Sequence, residues 1–232
     1  MKVEIWSDIV CPWCAIGKRR FEAALARFAH RDQVDIVWRS FELDPSAPRQ
    51  RDVSAAEHLA AKYGVSRAEA ETMQARMTGN AAAEGLDFRF DIARSGNTFD
   101  AHRLLHLAVE RGVQDAVKER LLVAYLTEGE PIGDPQVLPR LVAEAGLDHD
   151  EAVQVLAGDA YADAVRADEA DGRALGVTGV PFFVVDRAYG VSGAQPADVL
   201  LPVLEKAWSE AHPLQMVGGA DNASCADGSC EV

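Results

Sequence analysis

The sequence predicts an α/β protein with the element order β-α-β, a long all-helical stretch, then β-β-α. Three observations predict it. A strand-like segment near the start runs directly into an amphipathic helix, an alanine-rich region spanning about residues 49–176 is helical with no convincing strand, and an apolar hairpin precedes one last amphipathic helix.

The first strand is Val3-Glu4-Ile5-Trp6, and it leads into Cys11-Pro12-Trp13-Cys14. Helix follows because Ile16, Phe21, Ala24, Leu25 and Phe28 recur mostly every three or four residues and build one apolar face, with Lys18, Arg19, Arg20 and Glu22 elsewhere. Pro12 then sits near the first turn, where a missing N–H costs little. Residues 34–41 are β-branched and aromatic between Arg31-Asp32 and Asp44-Pro45, a second strand expected to lie parallel to the first across the helical crossover.

From Asp52 the pattern turns helical. Ser54 with Glu57 and Ser66 with Glu69 form capping boxes, and Gly64 and Gly79 are the expected terminators. Further helices are expected from Asn97 or Thr98 to Gly112, and over about 113–127, 135–145, 149–156 and 160–175. The β pattern resumes at 181–186 and, after a two-residue turn, at 188–192, a hairpin. Residues 196–211 carry Val199, Leu200, Val203, Leu204 and Trp208 on one side of a final helix that Pro213 stops.

This order is a thioredoxin fold with an insertion. Residues 1–48 and 177–213 would form a discontinuous thioredoxin-fold domain, 49–176 an inserted helical subdomain, and 214–232 a flexible tail.

At 232 residues the chain can bury an ample core without disulfides. Its 37 acidic and 23 basic residues give a net charge of −14, which argues against nucleic acid and anionic membranes as partners. No apolar run approaches the roughly 18–20 residues of a membrane span, and the first strand starts almost at Met1, leaving no room for a signal segment. The expected compartment is the cytoplasm, where a C-x-x-C pair points to catalysis more than to structure. Oligomeric state is not legible.

The chemistry centres on Cys11 and Cys14. A cysteine at a helix N-terminus faces unpaired N–H groups and the positive end of the helix dipole, both of which favour thiolate. This makes Cys11 the expected low-pKa nucleophile. Cys14, about one turn on, can reach it, close a small disulfide ring and act as the resolving thiol. Two buried small residues, or half of a zinc site, are the competing readings; zinc needs a second nearby pair on a supporting loop, so no metal ligand is assigned.

With Cys11-Pro12-Trp13-Cys14 after the first strand, the helical insertion, and Gly176-Val177-Thr178-Gly179-Val180-Pro181-Phe182-Phe183 near the end, the chain resembles the DsbA family over roughly residues 2–211. The segment Trp6-Ser7-Asp8-Ile9-Val10-Cys11-Pro12-Trp13-Cys14 and the absent signal segment look like its FrnE-like cytoplasmic subgroup. The resemblance implies a thiol-disulfide oxidoreductase (oxidase, reductase or isomerase) acting on protein or peptide thiols and disulfides, with no required cofactor. It makes Cys11 the attacking and Cys14 the resolving cysteine. It makes Pro181 a cis-proline facing them, with the backbone at Val180 pairing with the bound substrate chain. Read from the residues alone, Pro181 is equally a first strand residue.

Trp13 would be an exposed lid over substrate, or an ordinary helix residue half covered by the insertion. Asp8 could accept a proton from Cys14 if buried, or stand in solvent. Asn97-Thr98-Phe99-Asp100-Ala101-His102-Arg103-Leu104 looks like a segment that lines the cleft in FrnE-like proteins and their isomerase relatives, which would put His102 near Cys11. The alternatives are a helix-surface His102 and an Asn97 that only caps. Relatives of the 2-hydroxychromene-2-carboxylate isomerase and kappa-class glutathione transferase types typically carry serine in the nucleophile region. They define the alternative function and make glutathione the candidate co-substrate.

Cys225 and Cys230 form a C-x4-C pair in the tail, 12 residues or more past Pro213. A flexible linker of that length reaches roughly 20 Å, so the pair could visit Cys11. A relay disulfide, a weak metal or redox-sensing pair, and an inert tail all fit.

Overall fold

The computed structural model describes residues 1–213. Its centre is a four-stranded sheet in the order β2-β1-β3-β4, built from β1 (Lys2–Ser7), β2 (Asp35–Ser40), β3 (Phe182–Val185) and β4 (Tyr189–Ser192). β1 pairs parallel with β2, Ile5 opposite Trp38, and antiparallel with β3, Ile5 opposite Phe183. Every residue of β1 after Lys2 is buried, as a strand covered on both faces requires.

Helix α1 (Pro12–Arg27) is the crossover between β1 and β2, with Pro12 at its first position. It packs with α9 (Ala197–Ala211) over one sheet face, where Ile5, Phe21, Trp38, Phe183 and Leu204 share a core. Between β2 and β3 the described chain forms α2 (Ala55–Tyr63), α3 (Arg67–Ala83), α4 (Phe99–Glu110), α5 (Gln114–Leu126), α6 (Leu138–Glu144), α7 (His149–Ala157) and α8 (Ala162–Ala174). Their common core takes in Ile9, Ala15 and Ile16, so the start of α1 lies where the helical core meets the sheet.

Both capping boxes form, and Gly64 ends α2 in the left-handed conformation at φ 66°. Gly79, the other expected terminator, lies inside α3. The helix runs through it because Ala81 is fully buried in the helical core, which outweighs the intrinsic cost of an interior glycine. The hairpin also differs slightly. Val185 pairs with Tyr189, so three residues connect the strands, and Asp186 and Arg187 take φ of 47° and 57°. Side-chain bonds hold this turn: Asp186 Oδ1 accepts the Lys2 amide, and Arg187 reaches Glu4 and Asp171.

The polar side of α1 is not a solvated face. Lys18 is buried, Arg19 pairs with Glu119 of α5, and Arg20 pairs with Glu84 just past α3. The insertion covers that face, and single-helix periodicity cannot register a second layer. On the opposite sheet face, buried Glu4 accepts from Arg39 and Arg187, Arg39 also holds Asp168 of α8 at 2.9 Å, and the Trp6 indole donates to the Asp168 carbonyl at 2.8 Å. Gly172 permits that contact, since a Cβ there would lie 2.7 Å from Trp6 Nε1.

Candidate active site

Cys11 is the N-cap of α1 with an extended backbone, and the Cys14 amide closes the first turn onto its carbonyl at 3.0 Å. Both cysteines are free thiols. Both are buried, Cys14 with no exposure and Cys11 with 4 %, so Cys11 is the less enclosed of the two. The Cys11 thiol points at the Val180 carbonyl at 3.6 Å, and the Val180–Pro181 peptide is cis. α1 comes this close to Pro181 because residue 17 is glycine: a Cβ there would lie 2.8 Å from Pro181 Cγ.

Trp13 is 40 % exposed and, with Arg20, Val180, Pro181, Gly193 and Ala194, lines a shallow depression beside the dithiol. The insertion does not cover it.

The two thiols influence one another's ionisation. Cys11 is pushed well above the ordinary thiol value by its hydrogen bond to Cys14, by burial and by the charge of Cys14. Burial also opposes ionisation of Cys14. The hydrogen bond from Cys11, the charge of Lys118, the otherwise unpartnered Ser7 hydroxyl and the Asp8 amide outweigh it and lower the Cys14 value. Cys11, the expected low-pKa sulfur, is thus the one whose value is raised in the reduced pair, and Cys14 the one whose value is lowered. Burial opposes ionisation at both sulfurs, and the Lys118 charge and the interior donors favour it at Cys14.

Asp8 is fully buried, not in solvent. Its carboxylate accepts from the amides of Ile9 at 2.7 Å and Leu43 at 2.8 Å and lies 3.3 Å from His102 Nε2. Burial opposes its ionisation, yet these bonds and the charges of His102 and Lys118 hold it below the ordinary carboxylate value. His102 is neither a surface residue nor bonded to Cys11: it is wholly buried on α4, Nε2 on Asp8 and Nδ1 without a partner among the described residues. Asn97 accepts from the Phe99 amide at 2.9 Å and its amide reaches the Pro45 carbonyl, so it ties the start of α4 to the segment after β2. Cys225 and Cys230 lie outside the described residues. No group of three or more His, Cys, Asp or Glu among the described residues could hold a metal ion, and no helix there is long and apolar enough to cross a membrane.

Three neighbours of the dithiol escaped the reading of the sequence: Ser7, Gly17 and Lys118. The signal for Lys118 was present, since it shares a one-sided stripe with Leu122 and Tyr125, all three buried in α5.

Residues 2–205 match the DSBA-like thioredoxin domain. The chain belongs to this family. It is 50 % identical to a probable DsbA oxidoreductase from Streptomyces coelicolor, with a TM-score of 0.87 over 94 % of both chains. It is 28 % identical to the Bacillus subtilis protein YwbO over 90 % of this chain and 96 % of that one. The cytosolic disulfide reductase DsbM from Pseudomonas aeruginosa, solved with GSH, shares the fold at a TM-score of 0.60 and 21 % identity, over 89 % of this chain and 98 % of that one. Membership places the protein among DsbA-like oxidoreductases.

Proposed function

We propose that the protein is a thiol-disulfide oxidoreductase of the FrnE-like kind, exchanging disulfides with protein or peptide substrates through Cys11 and Cys14. The observation that carries this reading is the asymmetry of the pair: Cys11 keeps slight exposure and points at the Val180 carbonyl beside Pro181, and Cys14 has none. In the reducing direction the Cys11 sulfur attacks a substrate disulfide and forms a mixed disulfide, releasing one substrate sulfur as a thiolate that takes up a proton. Cys14 then attacks Cys11, which forms the Cys11–Cys14 bond, breaks the mixed disulfide and frees the second substrate sulfur. The substrate gains two electrons and the dithiol loses two.

Pro12 and Trp13 at the helix start and the backbone at Val180 would contact the substrate chain. Asp8 and His102 act from behind, on the proton of the pair. Glutathione, which occupies DsbM, is the small thiol that would regenerate or compete with the dithiol. The retained cysteines favour this over serine-based isomerase or transferase chemistry. A cytoplasmic setting, isomerase activity, a division at residues 1–48/177–213 and 49–176, and a relay through Cys225 and Cys230 complete the proposal.

The test is reduction of insulin disulfides under dithiothreitol by the intact protein, Cys11→Ser, Cys14→Ser and a chain ending at Pro213. Activity should vanish with Cys11→Ser, trap mixed disulfide with Cys14→Ser and survive loss of the tail. An intact protein no faster than dithiothreitol alone would overturn the proposal.

A further inference from the structure

We infer that Lys118 is the counter-ion of the reduced dithiol: it stabilises the negative charge held between Cys11 and Cys14 and so favours reduction of their disulfide. This rests on the redox reading of the pair.

Lys118 is wholly buried on α5, and its Nζ has no hydrogen-bond partner among the described residues. Lys18, the other buried lysine of the same interface, shows what a structural lysine looks like here. Its Nζ meets the Glu22 carboxylate and those of Asp115 and Glu119, each at 3.2 Å. No described carboxylate pairs with Lys118. Methionine would fill the same space without desolvating a charge, so the ammonium needs another source of stabilisation.

Burial lowers the Lys118 value, and the charges of Cys14, Asp8 and Cys11 oppose that lowering. Cys14 and Lys18 lie one turn apart on the same face of α1. Lys18 Nζ is 5.9 Å from the centroid of Trp38, and Lys118 Nζ is 5.6 Å from the same ring. The Trp38 indole donates at 2.9 Å to Asp115, about one turn before Lys118. Lys118 therefore projects against the face of α1 that carries Cys14. The charges that act on it are those of Cys14 and Lys18 on α1, of Cys11 at its N-cap and of Asp8 in the turn after β1, and Asp8 in turn lies 3.3 Å from His102 Nε2 of α4. The ring of Trp38 is the neutral wall. Asp115 and Glu119 are already taken by Lys18 and Arg19.

With the dithiol oxidised, Lys118 faces no charge on sulfur. Reduction by glutathione consumes two GSH and gives one GSSG. Two electrons enter the sulfur pair and break its bond, one thiol proton remains between Cys11 and Cys14, and the other leaves to solvent. The resulting thiolate appears in a dry pocket opposite an ammonium, where the attraction is far stronger than in water.

The test uses the full chain carrying Cys225→Ser and Cys230→Ser, so that one dithiol equilibrates with GSH and GSSG, read by alkylation and mass. Between about pH 6 and 7.5, below the ordinary thiol range, the equilibrium constant for reduction should rise about tenfold per pH unit, because one proton is released. An opposite charge at this range shifts a thiol by about one unit or more, so Lys118→Met should move the equilibrium about tenfold or more toward the disulfide, roughly 30 mV. Lys118→Arg should stay within about threefold of the parent, the charge being kept.

A folded Lys118→Met with the parent's constant and pH slope overturns the inference, as does a parent constant independent of pH. Lys118→Gln gives the same reading if the methionine variant does not fold. A dithiol that never exchanges with glutathione overturns the redox reading itself, a result distinct from either.

Discussion

Replacing Gly17 with alanine places a methyl group 2.8 Å from Cγ and 3.4 Å from Cβ of Pro181, and 3.5 Å from Cβ of Ala194. Carbon atoms in contact rest at about 3.5 Å or more, so the proline ring has to retreat by roughly 0.7 Å. The ring is part of the backbone, and Pro181 O is held by the Gly193 amide at 2.8 Å, so the retreat drags the Val180–Pro181 segment away from Cys11. Alanine gains about 1 kcal/mol of helix propensity and the overpacking costs about 1–3 kcal/mol, a net loss of roughly 0–2 kcal/mol. At about 2–4 °C per kcal/mol for a chain of this size, the melting temperature should fall by up to about 8 °C. Displacement approaching 1 Å at a reacting centre costs up to about 100-fold, so mixed-disulfide formation at Cys11, followed by stopped-flow, should slow by about 10- to 100-fold. Gly79→Ala is the control: nothing lies within 4 Å of its Cβ, so it should stabilise α3 and leave the rate alone. A Gly17→Ala protein that melts no lower than the parent and reacts at the parent rate would refute the reasoning.

Other outcomes follow from the same packing. Gly172→Ala should cost about 2–4 kcal/mol in urea unfolding, since it displaces the Trp6 indole and breaks its bond to the Asp168 carbonyl; an unchanged midpoint would contradict this. Arg39→Met should cost about 2 kcal/mol because buried Glu4 and Asp168 each lose a guanidinium while Arg187 remains on Glu4, and a variant as stable as the parent would discount the network. Asp8 has a folded pKa below its ordinary 3.8, so its contribution is present above that pH and lost as the pH falls through the folded value. The stability gap between the parent and Asp8→Asn should therefore narrow below about pH 4, and a gap that widens in acid would exclude the bonds described.

Much of the fold was legible because its signals are local. The order of elements follows from apolar periodicity, the starts of α2 and α3 from Ser54 and Ser66 with glutamates three residues on, and the stop of α2 from Gly64. The position of Cys11 at a helix start follows from a strand, a proline and an amphipathic run within a few residues. A chain reading one helix at a time has no access to what packs against it. Burial of Lys18, continuation of α3 through Gly79 and full enclosure of Asp8 and His102 all come from elements distant in sequence.

The amino-acid sequence by itself determined the fold class, the family and the dithiol, since each rests on residues adjacent along the chain. Tertiary structure alone decided how far each sulfur is enclosed, that Asp8 and His102 are buried against each other, and that Lys118 is buried with no hydrogen-bond partner among the described residues. The reason is physical: exposure and the local dielectric are set by all the atoms packed around a group, and those atoms arrive from α4, α5 and the Pro181 segment, far away in sequence.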